Sequence, residues 1–577
     1  MLKKALNPSS VNKNLFFVVI FVLLALFRLL WIDRFPVGMS HDEIEYSVNG
    51  LSYRYTGKDL SGIGLPLSIF RTQTEGRISV VPALMISFYS IFINVTELSL
   101  RLLYWFIGIV SSIVFYKIVI RLFDKKIAQY SLIIFLINPW TFDLFRWIDN
   151  TSWALLFTLL GIYLFLSTIK NNTHISLGFF ILAFLSYHAV KIIFIPLLLI
   201  LFIYKYFILR ERRKKYLWFL ISGLVFFILY LIVEYKLPGE PVSGRMNDIV
   251  FLNTEYLSDA TNLERRTTLD SVFQNIFSNK LTSAYKIMIQ KYFTAFSPDT
   301  LLFSGDVRST YTFGEHGFFY LLDIILLMFG ILKAFKIYKK QLLLIALLML
   351  ISPLATSVSG VEASVFNRSF LLIPEVIVLI GIGISGITEM KKSLAKYFIL
   401  VIYAISVINF ANFYFFHFPV AQQENHYFSE KLLSLYLNRM NNEKVTVYAP
   451  ENRSLALNYI FYSKVGRTDA VSRFSDNYRL NPNSITIGNI IFTNNCELGN
   501  GNGINIYHRN MNCTGKDNKN AVVIQNQKDS GGIFFIHNDY LCKNVLLTTY
   551  RRIHKIDDYN LSGMGNTVFC NRWINKI

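Results

Sequence analysis

NLFFVVIFVLLALFRLLW, residues 14–31, decides the class of this chain. Its one charge is Arg28, and at about 1.5 Å per residue it is long enough to cross roughly 30 Å of hydrocarbon. A cleavable signal peptide would occupy the same place, but no small-residue cleavage site follows and many more apolar runs do. The chain has 577 residues, 53% hydrophobic, 16% aromatic and 16% charged, and through residue 415 it is too apolar for an ordinary soluble protein. It reads as an α-helical polytopic membrane protein.

The formal net charge of +20 raises nucleic acid as a partner, but the cations are placed otherwise. They cluster in short loops between apolar runs: Lys3, Lys4 and Lys13; Arg121, Lys125 and Lys126; Arg210 and Arg212 to Lys215; Lys333, Lys336, Lys339 and Lys340; Lys391, Lys392 and Lys396. Asp124, Glu211 and Glu389 are the few acids among them. The positive-inside rule makes these loops cytoplasmic. Spans are then expected at about 14–31, 98–120, 127–142, 152–169, 175–188, 191–209, 216–235, 316–333, 341–358, 370–388 and 397–415. That is about eleven, with the N-terminus inside and the C-terminus outside. The run from Val80 to Ile93 would break this alternation as a span, so it is expected to lie on the outer surface as an interfacial helix.

Composition changes after Phe416, where Asn-rich stretches separate short runs such as Val445 to Tyr448, Ile485 to Phe492, Ala521 to Ile524 and Gly532 to Ile536. These runs predict a soluble α/β or mixed domain over 417–577, following a membrane domain over 1–416. Cys496, Cys513, Cys542 and Cys570 all lie in that domain. An even number outside the cytoplasm favours disulfides, with three pairings open; four unpaired thiols are the alternative. Zinc is disfavoured, since no pair has close ligand spacing.

The first outer loop, from Asp33 to about Glu97, opens with Ser40-His41-Asp42-Glu43. Ser40 with Glu43 fits a capping box, and Asp42 suits the first turn of a helix. The same acidic pair fits chemistry at a membrane surface. Other ionisable residues of the outer side are Asp59, Arg71, Glu75 and Arg77; Asp143, Arg146 and Asp149; Lys191 beside Tyr187 and His188; Arg245, Asp306 and Arg308; and Glu362 and Arg368. Each has a plain alternative: an ion pair at a helix end, a lysine reaching outward, or a hydrogen-bonded structural histidine. Their convergence from five loops on one face favours a site.

Such a site suits group transfer from a membrane-anchored phosphate ester. Asp42 would take the proton of an acceptor hydroxyl, and Lys191, Arg245, Arg308 or Arg368 would offer the leaving phosphate fixed positive charge. Glu43 would bind metal or acceptor, and His188 and His316 are further metal candidates.

At these residues the chain resembles the GT-C glycosyltransferases of the protein O-mannosyltransferase and aminoarabinose transferase type (glycosyltransferase family 39-like). FPVGMSHDEIEYSVNGLSYRYTGKDLSGIGLPL is similar to their first outer loop, with an Asp-Glu pair, a juxtamembrane helix and a Thr-Gly-(Arg/Lys)-Asp turn. Asn138-Pro139-Trp140 through Arg146 and Asp149, then Ser186 to Lys191, then LLFSGDVRSTYTFGEHGFFYLLD, then Asn367-Arg368-Ser369 follow in the family's order. Ser309 departs from the pattern, where a histidine often follows the arginine.

The resemblance implies a GT-C fold with juxtamembrane helices in the first outer loop. It implies a polyprenyl-phosphate sugar as donor, leaves a divalent metal open as cofactor, and implies a glycan, lipid or protein as acceptor. The activity implied is inverting transfer on the extracytoplasmic face of the cytoplasmic membrane. Asp42 becomes the general base, with Glu43 and Asp149 in the catalytic group. Arg146, Lys191, Arg308 and Arg368 become phosphate ligands, while Asp59, Tyr187, His188 and Arg245 support the site or bind acceptor. A transporter or flippase of a lipid-linked substrate, or an inactive glycolipid-binding relative, is the alternative. A transporter would show polar residues in broken helices near the midplane, often with internal repeats, and neither is seen.

Overall fold

The structure, a computed structural model, describes residues 8–70, 79–167, 169, 172–237, 255–269, 271–306, 314–359, 365–389, 393–440, 443–463, 467–498, 503–513, 521–543 and 555–576. The chain divides into two compact units. One comprises Met1–Leu30, Leu103–Arg146 and Asn150–Phe410, the other Trp31–Leu102, Trp147–Asp149 and Ala411–Ile577.

Among the described residues six helices are long and apolar enough to cross a membrane: Glu97–Leu122, His188–Ile208, Lys214–Lys236, Lys339–Ser357, Leu372–Glu389 and Leu394–Ala421. Each coincides with an expected span. The expected spans at 152–169 and 175–188 form shorter apolar helices, Asn150–Phe165 and Asn172–Ser186, of 16 and 15 residues. The expected span at 127–142 is broken instead. Helix Lys125–Ile137, started by the Asp124 cap, stops at Asn138. There Asn138 accepts from the Thr141 N–H and Pro139 opens a new helix, Pro139–Leu144. Proline has no N–H to continue the first helix but suits the first turn of the second.

In the first unit, helix Leu321–Ile337 packs on Leu372–Glu389 backbone to backbone. A methyl on Gly330 would collide with the Leu379 carbonyl, and one on Gly383 with that of Leu326. Small residues permit this approach where a larger side chain would hold the helices apart.

The second unit contains a seven-stranded mixed sheet, in the order β2-β3-β1-β4-β6-β5-β7. Its strands are β1 Val445–Tyr448, β2 Ser484–Ile487, β3 Ile490–Thr493, β4 Ile504–His508, β5 Val522–Gln525, β6 Gly532–His537 and β7 Ile574–Lys576. β1 is an interior strand, parallel to both β3 and β4, with helices Asn452–Tyr462 and Arg467–Leu480 in the connection to β2. The run Ile485 to Phe492 is a hairpin, folded at Gly488 with φ +57°. Disulfides join Cys496 to Cys513 and Cys542 to Cys570. The same unit holds helix His41–Thr56 and helix Val80–Phe92, which pack together.

Candidate active site

Ser40 to Glu43 starts helix His41–Thr56, and local bonding fixes the start. The Ser40 N–H donates to Glu43 Oε2 at 2.7 Å and the Glu43 N–H to Ser40 Oγ at 3.3 Å, a complete capping box. Glu43 Oε1 accepts the Ile148 N–H at 2.9 Å, which joins the Trp147–Asp149 piece to the first loop. Burial pushes the Glu43 carboxyl up to about 7, against the pull of Arg101 and the N–H bonds from Ile148 and Ser40. Glu43 is thus a buried positioning group. Asp42, one residue earlier, is half-exposed.

His41 turns to the other side. Its Nε2 lies 3.0 Å from both carboxylate oxygens of Glu430 and its Nδ1 lies 3.2 Å from Glu451. The ring stacks on Tyr427 with centroids 3.6 Å apart. Burial lowers the imidazole pKa, but the two carboxylates outweigh it and bring it up to about 10. At neutral pH this histidine is a cation.

The lead-in to the helix is held as firmly. Arg101 donates to the carbonyls of Gly38 at 2.9 Å and Ile32 at 3.3 Å, and pairs with Glu97. Lys431 donates to the Val37 carbonyl at 2.8 Å and meets Glu97 at the same distance. Gly38 faces the His426 carbonyl so closely that a Cβ would strike it. His426 itself is buried against Trp147, and burial, then Arg101 and Lys431, pushes it down to about 3. It is a neutral imidazole. Further along the helix, Glu45 makes two 2.6 Å bonds to Arg453. Asp59 is buried and its Oδ1 accepts the N–H groups of Ser61 and Ile63, which shapes the turn after the helix.

The remaining sequence candidates fall as follows. Asp149 is buried within the second unit. Arg146, Tyr187, His188, Lys191, His316 and Arg368 belong to the first. Arg146 is fully buried and donates to the carbonyls of Arg28 at 2.9 Å and Leu30 at 3.1 Å, just past helix Pro8–Phe27. Lys191 donates to the Tyr230 hydroxyl at 2.8 Å, which in turn faces Glu234. Tyr187 stands at the position before helix His188–Ile203, and His188 is the buried first residue of that helix. His316 bonds through Nδ1 to the Gly317 carbonyl at 2.7 Å. Arg368 ends the short helix Val365–Arg368, half-buried. Arg71, Glu75, Arg77, Arg245, Arg308 and Glu362 lie outside the described residues.

Among the described residues no three His, Cys, Asp or Glu side chains converge to hold a metal ion. Glu43 has both oxygens engaged by backbone N–H groups. The sequence reading missed His41, Glu45, Glu97, Arg101, Glu430, Lys431, Glu451 and Arg453. Glu97 and Arg101 carry a local signal, their i,i+4 spacing on one helix; the others have partners far off in the chain.

Residues 79–232 match the sequence model of the dolichyl-phosphate-mannose-protein mannosyltransferase family. The match begins beyond Ser40–Glu43 and ends before the Gly305-Asp306 loop. No curated protein sequence matches the chain. Among solved structures, the oligosaccharyltransferase of Archaeoglobus fulgidus tethered to an acceptor peptide is similar at TM-score 0.45 and 12% identity, over 78% of this chain and 63% of that one. This chain therefore spans less than two thirds of its length. The same organism's AglB, in complex with an inhibitory peptide and a dolichol-phosphate, gives TM-score 0.45 and 11% identity over 91% and 74% of the two chains. ArnT from Cupriavidus metallidurans bound to undecaprenyl phosphate gives 0.34 and 14% over 80% and 77%.

Proposed function

We propose that this membrane protein is a glycosyltransferase that moves a sugar from a polyprenyl-phosphate donor to an acceptor on the extracytoplasmic face. The family match over 79–232 supports the reaction class. One observation supports Asp42 as the base. Asp42 is half-exposed in the first turn of the helix that the Ser40–Glu43 capping box starts.

In the reaction the acceptor oxygen attacks C1 of the sugar as its proton passes to the Asp42 carboxylate. The C1–O bond to the phosphate breaks and its electron pair leaves with the polyprenyl phosphate, so the configuration at C1 inverts. Glu43 holds the helix start in register. Lys191, Arg308 and Arg368 are assigned by motif position to the departing phosphate, whose charge grows as the bond breaks. Arg146, committed to two carbonyls, braces the chain beyond the first helix as well as carrying that assignment. The proposed orientation places the N-terminus in the cytoplasm and residues 417–577 outside it.

Asp42→Asn tests the base. Asparagine caps a helix as well as aspartate, so folding and donor binding are expected to persist while transfer falls by about 10² to 10⁴. Unchanged transfer would remove the assignment. Mass spectrometry of lipid-linked sugars and extracytoplasmic glycoconjugates, with and without the protein, identifies the substrates: one acceptor should lack its sugar while its lipid donor accumulates.

A further inference from the structure

We propose that His41 is the positioning residue of Asp42, and that Glu430 and Glu451 act on the reaction through it; this rests on Asp42 being the base. Three observations carry it. First, both ring nitrogens of His41 meet carboxylates from one segment, Glu430 at 3.0 Å and Glu451 at 3.2 Å, so the ring is held about both hydrogen-bonding directions. Glu430 is held in turn by the Asn458 amide at 3.0 Å. Second, Tyr427 covers the ring face at 3.6 Å from a left-handed backbone, φ +49°, a conformation that a bulky residue adopts only when its surroundings require it. Third, the joining of residues 31–102 to 411–577 does not need this contact. Glu45 with Arg453, a buried pair, and Glu97 with Lys431, a partly buried one, already fasten those segments. The His41 cluster stands apart from them because its histidine directly precedes the proposed base. Fixing His41 fixes the rotation of the first helical turn and so the direction in which Asp42 points. A misplacement of about 1 Å at a reacting group costs up to roughly 10²-fold in rate.

The test uses full-length protein in liposomes, polyprenyl-phosphate sugar as donor, and the variants His41→Gln, His41→Arg and the pair Glu430→Gln with Glu451→Gln. Glutamine keeps a hydrogen-bonding side chain and loses the charge; arginine keeps both a cation and a planar donor fork. We expect His41→Gln to lower kcat by about 10- to 100-fold with donor KM within about twofold, and His41→Arg to recover most of the loss. The glutamine pair should reproduce the loss, and adding His41→Gln to it should cost nothing further. If His41→Gln does not fold, the glutamine pair, which leaves the ring in place, gives the decisive rate. Turnover of His41→Gln within about twofold of the unaltered protein, while Asp42→Asn is dead, overturns the inference and leaves the base assignment standing. His41→Arg as slow as His41→Gln overturns it too. Full turnover in Asp42→Asn removes both.

Discussion

His41 and Glu43 flank Asp42 with opposite charges and a shared response to alkali. Glu43, raised by burial from 4.5 to about 7, holds its proton more tightly folded than unfolded. Across that window the folded protein therefore loses stability as pH rises. For His41, burial works against the charge and Glu430 and Glu451 work for it, raising it from 6.5 to about 10. Its stabilisation is complete below pH 6.5 and is lost as pH climbs towards 10. The thermal midpoint of the detergent-solubilised protein should therefore decline from pH 6.5 to 10, and His41→Gln should flatten that decline. A midpoint that rises over the window would contradict the electrostatics described here. At this scale the sequence was legible where a bond is local. The capping box spans three residues and can be read from Ser40 and Glu43 alone. His41 could not be read in this way, because its partners follow it by about 400 positions.

Helix His41–Thr56 is secured along its length by the pair Glu45–Arg453, whose side chains are 8% and 10% exposed. Cutting one partner leaves the other charge buried without compensation. Arg453→Ala should cost about 3 to 5 kcal/mol of stability in a denaturant titration, and adding Glu45→Gln should recover part of it. An additive double variant would show that the two do not act as a pair. Elements were legible in proportion to the strength of their pattern. Six long apolar runs became helices of spanning length. The strands β1, β5 and β6 follow runs visible in the sequence. The expected span at 127–142 is interrupted at Asn138-Pro139, a cap followed by a residue that cannot continue a helix, which hydropathy alone ignores. Strands β4 and β7 were missed, since Ile504–His508 alternates with polar residues inside an Asn-rich stretch and Ile574–Lys576 has three residues.

At the scale of the whole molecule, division by composition and division by compactness differ. Composition separates the chain near residue 416, whereas the second compact unit gathers 31–102 and 147–149 with 411–577. Ion pairs explain why hydropathy could not show this: the partners of His41, Glu45 and Glu97 in 411–577 are Glu430, Glu451, Arg453 and Lys431, hundreds of positions further along the chain. That unit carries the disulfides Cys496–Cys513 and Cys542–Cys570, with sequence separations of 17 and 28. Loops of this size favour a loss of about 2 to 4 kcal/mol when a bridge is removed. Non-reducing peptide mapping should recover these two links, and reductant should lower the midpoint of the unit. A link between Cys513 and Cys542 would refute the pairing.

The separation of 408 residues between Glu45 and Arg453 also sets a timetable for making the protein. At about 5 to 20 residues per second, the ribosome delivers Arg453 roughly 20 to 80 s after Glu45. Throughout that interval the helix that presents Asp42 has its capping box, Arg101 and later Ile148, but lacks Glu430, Lys431, Glu451 and Arg453. A nascent chain that stalls before Glu430 therefore carries the Asp-Glu pair in an unlatched state, and assembly of the site waits on translation of the last third of the chain.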